Sequence, residues 1–238
     1  MKKLFKIFIG DIGTNNFLVR DNWVNNALSK LSPGKRLLDA GAGTQRFRKY
    51  CSHLEYVSQD FCQYEGLGDG TSLQSGTWDT SKIDLVSDIT SIPAPDNSFD
   101  AILCTEVIEH VPDAVAALKE FSRLLRPGGE LILTAPFCSL THMAPFHFYS
   151  GFNKFFYEHN LSALGFQIVE LNPNGDYEEF TAQELRRLKE IYGKESYLLK
   201  ACIAFLLYFL KSKHSEGCSG SELLCYGYHV RAIKDREI

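Results

Sequence analysis

The stretch RLLDAGAGTQRFRKY, residues 36–50, decides the fold class of this chain. A short apolar run ends at Asp39, and Gly41 and Gly43 follow before a polar, basic segment. The pattern predicts a buried strand, a glycine turn and a helix start at 44–51, which together are typical of a nucleotide-binding α/β sheet. Two different classes of cofactor use such a turn, so the rest of the chain has to distinguish them.

Composition narrows the class of protein. A chain of 238 residues with 45% hydrophobic and 23% charged residues is typical of one soluble α/β domain. The net charge of −4 gives no support for a nucleic-acid partner, which usually requires a basic face. The seven cysteines show no CxxC pair and no His/Cys ligand spacing, so we predict reduced thiols, no metal site and a cytoplasmic location.

Two apolar segments raise the question of whether the chain contains a signal peptide or a transmembrane helix. MKKLFKIFIG, residues 1–10, is interrupted by Lys6 and followed by Asp11, so we interpret it as a mature N-terminus rather than a signal peptide. YLLKACIAFLLYFL, residues 197–210, is shorter than the roughly 20 residues that span a bilayer. We predict a buried or interface helix there and no transmembrane segment. A helix on a membrane surface, or one facing a lipid-linked acceptor, is the alternative.

Periodicity predicts an α/β chain in which strands alternate with helices, with ligands at the carboxyl ends of the strands. The predicted strands are 36–40, 54–60, 83–89, 99–107, 130–137, 166–172 and a last one within 222–234. Helices are predicted at 15–31, 113–126, 150–164, 178–192 and 195–213, and residues 62–80 are predicted to form a loop.

We predict a single domain over residues 1–238. Within it, residues 1–34 form a helical cap, 35–137 a cofactor-binding half, and 138–238 an acceptor-side half. A helical insertion at about 178–213 precedes the last strand, and it could cover the acceptor pocket or form a homodimer face.

The acids at three successive strand ends discriminate between cofactors. The dinucleotide fingerprint requires a third glycine, but Gln45 and Arg46 stand in that region. Asp39 would crowd a pyrophosphate, whereas it suits a ligand with a cationic end. Asp60 lies at the spacing of an acid that receives ribose hydroxyls, and Asp88 ends the third predicted strand.

A set of ordered motifs carries a resemblance to a known family. LLDAGAGT, QDF, DITSIPAPDNSFDAILCTEVIEHV and RLLRPGGELILTAPF, between residues 36 and 137, resemble the class I S-adenosylmethionine-dependent methyltransferases. The similarity is to the small-molecule group that includes ubiquinone-biosynthesis enzymes. The resemblance implies a Rossmann-like, mostly parallel seven-stranded sheet with an antiparallel last strand and helices on both faces. S-adenosylmethionine is the implied cofactor, with S-adenosylhomocysteine as product.

The resemblance also implies roles for individual residues, each of which would contact one part of the cofactor. Asp39, Gly41 and Gly43 would hold the methionine end of the cofactor, and Arg46 would reach its carboxylate. Asp60 would hold the ribose hydroxyls, and Phe61 would lie beside the adenine. The adenine would be recognised by Asp88 and Ile89, and the floor near the sulfonium would be formed by Cys104, Thr105 and Glu106. Gln45 and the loop 62–80 depart from the family pattern.

Transfer to a hydroxyl requires a base within hydrogen-bond reach of the acceptor. His147, in THMAPFHFYSGF, is the first candidate, with aromatic packing as the competing role. His110 and Glu106 are further catalytic candidates, although His110 could equally brace the loop over the site. His142 and Glu109 are weaker alternatives.

The expected acceptor is a small molecule that carries a hydroxyl, such as a sugar, a lipid-linked compound or a ringed metabolite. Nucleic acid is disfavoured because CTEV replaces the Asn/Asp-Pro-Pro-aromatic motif of enzymes that methylate bases. A cofactor-binding domain without catalysis, which acts as a partner or regulator, is the alternative function. An NAD-dependent reductase is a third reading, which Asp39 and the missing glycine disfavour.

Overall fold

The computed structural model describes residues 10–67, 73, 76–192, 196–214 and 219–235. The predicted mature N-terminus lies almost wholly outside these residues, as do Cys218 and part of the predicted loop 62–80. The six cysteines that the structure describes are free thiols, at positions 51, 62, 104, 138, 202 and 225.

Seven strands form one sheet in the order β3-β2-β1-β4-β5-β7-β6. They are β1 (Arg36–Ala40), β2 (Glu55–Asp60), β3 (Leu85–Val86), β4 (Phe99–Thr105), β5 (Leu125–Pro136), β6 (Phe166–Asn174) and β7 (Gly227–Lys234). Strand β1 pairs in parallel with β2 and β4, and β7 runs antiparallel to β5. The predicted mostly parallel sheet with an antiparallel last strand is therefore confirmed.

Five α-helices accompany the sheet within the described residues. They are α1 (Asn16–Ser29), α2 (Ala114–Leu124), α3 (Lys154–Ala163), α4 (Tyr177–Tyr192) and α5 (Tyr197–Lys213). Side-chain caps define two of their starts, because Asp113 accepts from the Ala116 amide and Asn153 from the Phe156 amide. All five agree with the predicted helices to within a few residues.

Two predicted elements differ from the sequence expectation. The helix start at 44–51 is wrong, because only the 3₁₀ turn Arg48–Tyr50 forms there. The chain has to enter β2 at Glu55, so too few residues remain for a longer helix. The predicted strand 83–89 shrinks to Leu85–Val86, because Asp84 bonds Ser58 and the chain turns at Asp88.

Register brings the first strand ends together at one edge of the sheet. Leu38 stands opposite Val57 and Ile102, and Asp39 opposite Ser58 and Leu103. Because β1, β2 and β4 are parallel, their carboxyl ends meet at this edge, where ligands bind in open α/β sheets.

The chain divides into two compact units, Met1–Asp21 with Pro173–Tyr226, and Asn22–Asn172 with Gly227–Ile238. The first unit has its own core of Ile12, Ala182, Ile203 and Leu207. Within the described part of the chain, helices fall short of the length and hydropathy that crossing a bilayer requires. The second unit contains every residue predicted for the cofactor and for catalysis, and the assignment of a single domain stays a prediction.

Candidate functional site

The turn after β1, residues 41–45 (the glycine turn), requires glycine at two positions. Gly41 and Gly43 both have positive φ angles, of 74° and 50°. An added Cβ at Gly41 would lie 2.5 Å from the Val107 side chain, and one at Gly43 would lie 2.6 Å from the Trp78 ring. The Val107 and Trp78 side chains thus pack directly on the backbone of the turn, which leaves no space for a side chain at either position.

Gln45 stands where the methyltransferase family usually has a third glycine, and its backbone is also left-handed with φ 56°. The side chain offsets this strain through hydrogen bonds. Its Nε2 donates to Ser58 Oγ at 3.0 Å and to the Lys82 carbonyl at 2.6 Å, and its Oε1 accepts from Arg48 at 2.8 Å. Gln45 therefore keeps a glycine-like backbone and ties the turn to β2 and to the loop before β3.

Asp39 is a buried acid at the end of β1, with 2% of its surface exposed. The Tyr56 hydroxyl donates to its Oδ2 at 2.5 Å. Burial raises the pKa of Asp39 to about 7, while the Tyr56 hydrogen bond lowers it and the charge of Asp60 adds to the rise. A cationic ligand group would favour the carboxylate form, so the predicted role beside the methionine end fits this site.

Asp60, at the end of β2, uses its carboxylate to hold the backbone. One oxygen accepts from the Gly43 amide at 2.9 Å and the other from the Cys62 amide at 2.8 Å. The side chain is 4% exposed. The sequence analysis missed this role of fixing the glycine turn, and the predicted contact with ribose hydroxyls stays a prediction.

The residues predicted for the adenine side have ordinary local roles within the fold. Asp88 is exposed, and its Oδ1 accepts from the amide and hydroxyl of Thr90, which closes a turn. Ile89 is buried, and the Phe61 ring meets the Phe146 ring edge-on at 5.0 Å. Their contacts with adenine stay predictions.

Arg46 is exposed, and its guanidinium lies 5.0 Å from the Phe47 ring centroid. Its predicted contact with the cofactor carboxylate stays a prediction. Trp78 was not singled out from the sequence, yet its ring lies over Gly43 and packs against Tyr64. A tryptophan within a loop rich in Gly, Ser and Thr was the available signal.

The end of β4 forms a second wall of this edge. Cys104 is fully buried, and burial raises the pKa of its thiol well above the usual range, which makes it an inert group. Glu106, after Thr105, has φ 55°, and its carboxylate accepts from the Thr134 hydroxyl at 2.9 Å. Glu106 is thus held against β5 and serves first to fix the local backbone.

Three histidines that the sequence offered as separate candidates form one group. The His110 ring centroid lies 4.6 Å from that of His142 and 5.9 Å from that of His147, and the last two rings are 4.7 Å apart. These three residues are called the histidine cluster below. Burial lowers the pKa of His110 to about 4, and burial also lowers the pKa of His147.

The loop after β5 is anchored to the segment after β4. The Glu109 carbonyl accepts from the amides of Phe148 and Tyr149, at 3.0 and 3.1 Å. Ser139 Oγ lies 3.2 Å from His147 Nε2. Backbone contacts therefore hold the histidine cluster at the carboxyl ends of β4 and β5, the same edge of the sheet as the glycine turn.

Comparison with a family model identifies a methyltransferase domain over residues 38–133. A ubiquinone biosynthesis O-methyltransferase of Xanthomonas axonopodis pv. citri is 33% identical over 110 residues, which are 44% of this chain and 45% of that relative. A demethylmenaquinone methyltransferase of Corynebacterium glutamicum is 35% identical over 102 residues, which are 42% of this chain and 41% of that relative. The match thus spans less than half the length of either relative.

Among solved structures, the [4+2]-cyclase SpnF has a similar fold, with a TM-score of 0.54 and 18% sequence identity. The superposition covers 90% of this chain and 80% of the cyclase. At this level of identity the likeness concerns the fold alone, and the cyclase shows that one fold carries different reactions.

Proposed function

We propose that this protein, whose residues 38–133 match a methyltransferase domain, is a class I S-adenosylmethionine-dependent enzyme that transfers a methyl group to a hydroxyl of a small, ringed acceptor. The observation that carries the proposal is the histidine cluster after β4 and β5, at the sheet edge that also bears the glycine turn. A base beside an activated methyl donor is what hydroxyl methylation requires.

The glycine turn and Asp39 would hold the cofactor. Gly41 and Gly43 give the turn its left-handed backbone at the end of β1, and Asp39 offers a buried carboxylate to the cationic amino group of the methionine portion. When bound, S-adenosylmethionine supplies a methyl group that its sulfonium already activates. The chain itself has to align the acceptor and exclude water.

His147 is the residue that we expect to take the acceptor proton. Its Nε2 lies 3.2 Å from Ser139 Oγ, and the side chain is half-buried. A neutral imidazole can accept a proton from a hydroxyl that lies within about 3 Å. His110, whose Nδ1 is already engaged by the Phe146 carbonyl at 2.5 Å, is better suited to holding the loop.

The ringed acceptor is inferred from two supports. Phe61, Phe146 and Phe148 lie in the segments that follow β2 and β5, and Phe148 is half exposed. The names of the two relatives refer to quinone pathways, one of them to O-methylation. A sugar hydroxyl also fits an aromatic pocket, so acceptors of both kinds belong in the test.

The first test is titration of the purified protein with S-adenosylhomocysteine, with NADH as the control ligand. Micromolar binding of S-adenosylhomocysteine alone supports the cofactor assignment, whereas binding of NADH alone would overturn it. The second test supplies methyl-labelled S-adenosylmethionine with phenolic, quinol and sugar acceptors. Cofactor binding without label transfer to any of them would favour the alternative, a binding domain without catalysis.

A further inference from the structure

A carboxylate and two imidazoles converge at the edge of the histidine cluster. Glu109, His110 and His142 each present a ligand atom, and these atoms all lie within 4.8 Å of one another. The Glu109 side chain is 1% exposed and that of His110 is 9% exposed, and Glu109 Oε1 lies 3.7 Å from His110 Nε2. The group is therefore largely withdrawn from water.

The hydrogen bonds of the two imidazoles fix which ring nitrogen keeps its lone pair. His110 Nδ1 lies 2.5 Å from the Phe146 carbonyl oxygen, and His142 Nδ1 lies 2.9 Å from the Leu140 carbonyl oxygen. A carbonyl oxygen only accepts, so each Nδ1 carries a hydrogen and each neutral ring keeps its lone pair on Nε2. An imidazole held by a backbone carbonyl in this way is the usual arrangement of a metal-ligating histidine.

From this geometry we propose that Glu109, His110 and His142 bind a divalent cation of the Zn²⁺ class. Two imidazole nitrogens and one carboxylate are the donor set of open zinc sites, which leave a further position for water or substrate. Zinc bonds of about 2.0–2.2 Å to each atom place neighbouring ligands roughly 3.4 Å apart. The observed 3.7 Å between His110 Nε2 and Glu109 Oε1 is close to this, and the His142 ligand atom lies within 4.8 Å of both.

A bound cation would explain why the chain brings acceptor atoms together in a nearly dry place. The lone pair of His110 Nε2 faces a carboxylate oxygen, and a cation between them turns repulsion into attraction. The competing explanation is a proton shared between Glu109 and His110, which requires no metal. The cation site stands independently of methyl transfer, and only a role in polarising the acceptor hydroxyl rests on the proposed function.

The described residues contain a second group of possible ligands, Asp176, Glu178 and His214, in the other compact unit. Asp176 accepts from the Glu179 amide at the start of α4 and lies 3.4 Å from His214. Helix capping and the close contact between Asp176 and His214 account for this arrangement. This group therefore serves as the internal comparison in the test.

The test is titration of the tag-free protein with Co²⁺, followed in the visible spectrum, and displacement by Zn²⁺. We expect one equivalent to bind and His142→Ala to weaken its affinity at least tenfold. His159→Ala, which removes an exposed histidine of α3, and His214→Ala should leave the affinity unchanged. Three results would overturn the proposal: no saturable binding, equal binding by His142→Ala, or the intense near-ultraviolet band of a cobalt–thiolate bond.

Folding and cofactor binding are checked separately, so that the two proposals fail independently. His142→Ala changes a half-buried loop residue, and its circular dichroism and S-adenosylhomocysteine affinity should match those of the parent protein. Cation binding without methyl transfer would retain the site and reject the function. Methyl transfer that is unchanged by Zn²⁺ or by a chelator would retain the function and leave the cation without a catalytic role.

Discussion

The glycine turn and the histidine cluster lie at the same edge of the sheet but use their side chains in opposite ways. In the glycine turn, Asp60 and Gln45 are committed to backbone amides and carbonyls, so the site is made of main chain. In the histidine cluster, backbone groups hold the rings of His110 and His142 while other ring atoms converge. We therefore expect cofactor binding to depend on the glycine turn and proton transfer to depend on the histidine cluster, a division that mutations can test.

The largest expected effect is a loss of turnover when a residue of the histidine cluster is substituted. His147→Ala should lower methyl transfer by about 10²–10⁴-fold, because it removes the proposed base. The affinity for S-adenosylhomocysteine should be nearly unchanged, since the ring is not part of the glycine turn. Turnover of a responsive acceptor and calorimetric affinity are the two measurements. If His147→Ala instead weakened S-adenosylhomocysteine binding and left the turnover of the cofactor-bound enzyme unchanged, His147 would contribute to cofactor binding rather than to proton transfer.

The next effect tests the glycine turn with a matched pair. Gly43→Ala adds a Cβ that meets the Trp78 ring at 2.6 Å, whereas Gly34→Ala adds one at a similar positive φ with no atom within 4 Å. Strain at positive φ is common to both and costs about 1–2 kcal/mol. We expect Gly43→Ala to lower the free energy of unfolding by at least 1 kcal/mol more, and to weaken cofactor binding where Gly34→Ala does not. If denaturant titrations showed the same loss of unfolding free energy for both variants, the Trp78 ring would have moved to accommodate the added Cβ.

Asp60 separates main-chain support from ligand contact. Asp60→Ala leaves the amides of Gly43 and Cys62 without their acceptor, so unfolding should require about 1–3 kcal/mol less free energy. Cofactor binding should weaken by a similar 1–3 kcal/mol if the ribose also uses this carboxylate. Asp88→Ala, an exposed acid that closes a local turn, is the control for stability. An unchanged cofactor affinity in Asp60→Ala would confine its role to the turn.

The contrast between the two regions also explains what the sequence could predict. The glycine turn is local in sequence. Asp39, Gly41 and Gly43 lie within five positions of one strand end, and this pattern predicts the turn. Its support by Asp60 is visible only once β1 and β2 are paired. The 3₁₀ turn in place of a helix at 44–51 follows from Gln45 having a left-handed backbone, which no pattern of apolar residues reports.

The histidine cluster depends on tertiary contacts. His110 and His142 are separated by helix α2 and strand β5, and only the folding of the loop after β5 against the Glu109 carbonyl brings their rings to 4.6 Å. The sequence offered each ring as a candidate base, and it argued against a metal from the cysteines and from spacing alone. Convergence of residues far apart in sequence leaves no such spacing to find.

A smaller effect is the pH dependence of cofactor affinity. Burial raises the pKa of Asp39 to about 7, so the carboxylate form that we expect to bind the amino group is depleted below that pH. Affinity for S-adenosylhomocysteine should rise up to about tenfold for each pH unit between 5.5 and 7, and then level off. The affinity of Asp39→Asn for S-adenosylhomocysteine should be independent of pH and as weak as that of the parent protein at low pH. A flat profile in the parent protein would place the amino group elsewhere.

The same ionisation sets the sign for stability. The folded-state pKa lies above the ordinary aspartate value of 3.8, so between about pH 4 and 7 the unfolded chain releases this proton while the folded chain retains it. The contribution of Asp39 to the free energy of unfolding is therefore largest at acid pH and declines as pH rises towards 7. Chemical unfolding of Asp39→Asn should lack this decline, whereas the cofactor should restore stability near neutral pH in the parent.

The smallest effect concerns Gln45 and asks whether the departure from three glycines is a defect. Gln45→Gly relieves the strain of φ 56° but loses the bonds to Ser58 and Lys82, so the change in stability should stay within about 1 kcal/mol. Gln45→Ala keeps the strain and loses the same bonds, so it should be less stable than Gln45→Gly by about 1 kcal/mol. Paired unfolding curves decide the order. If alanine were as stable as glycine here, strain would not matter at this position, and the side-chain bonds alone would explain why the turn tolerates glutamine.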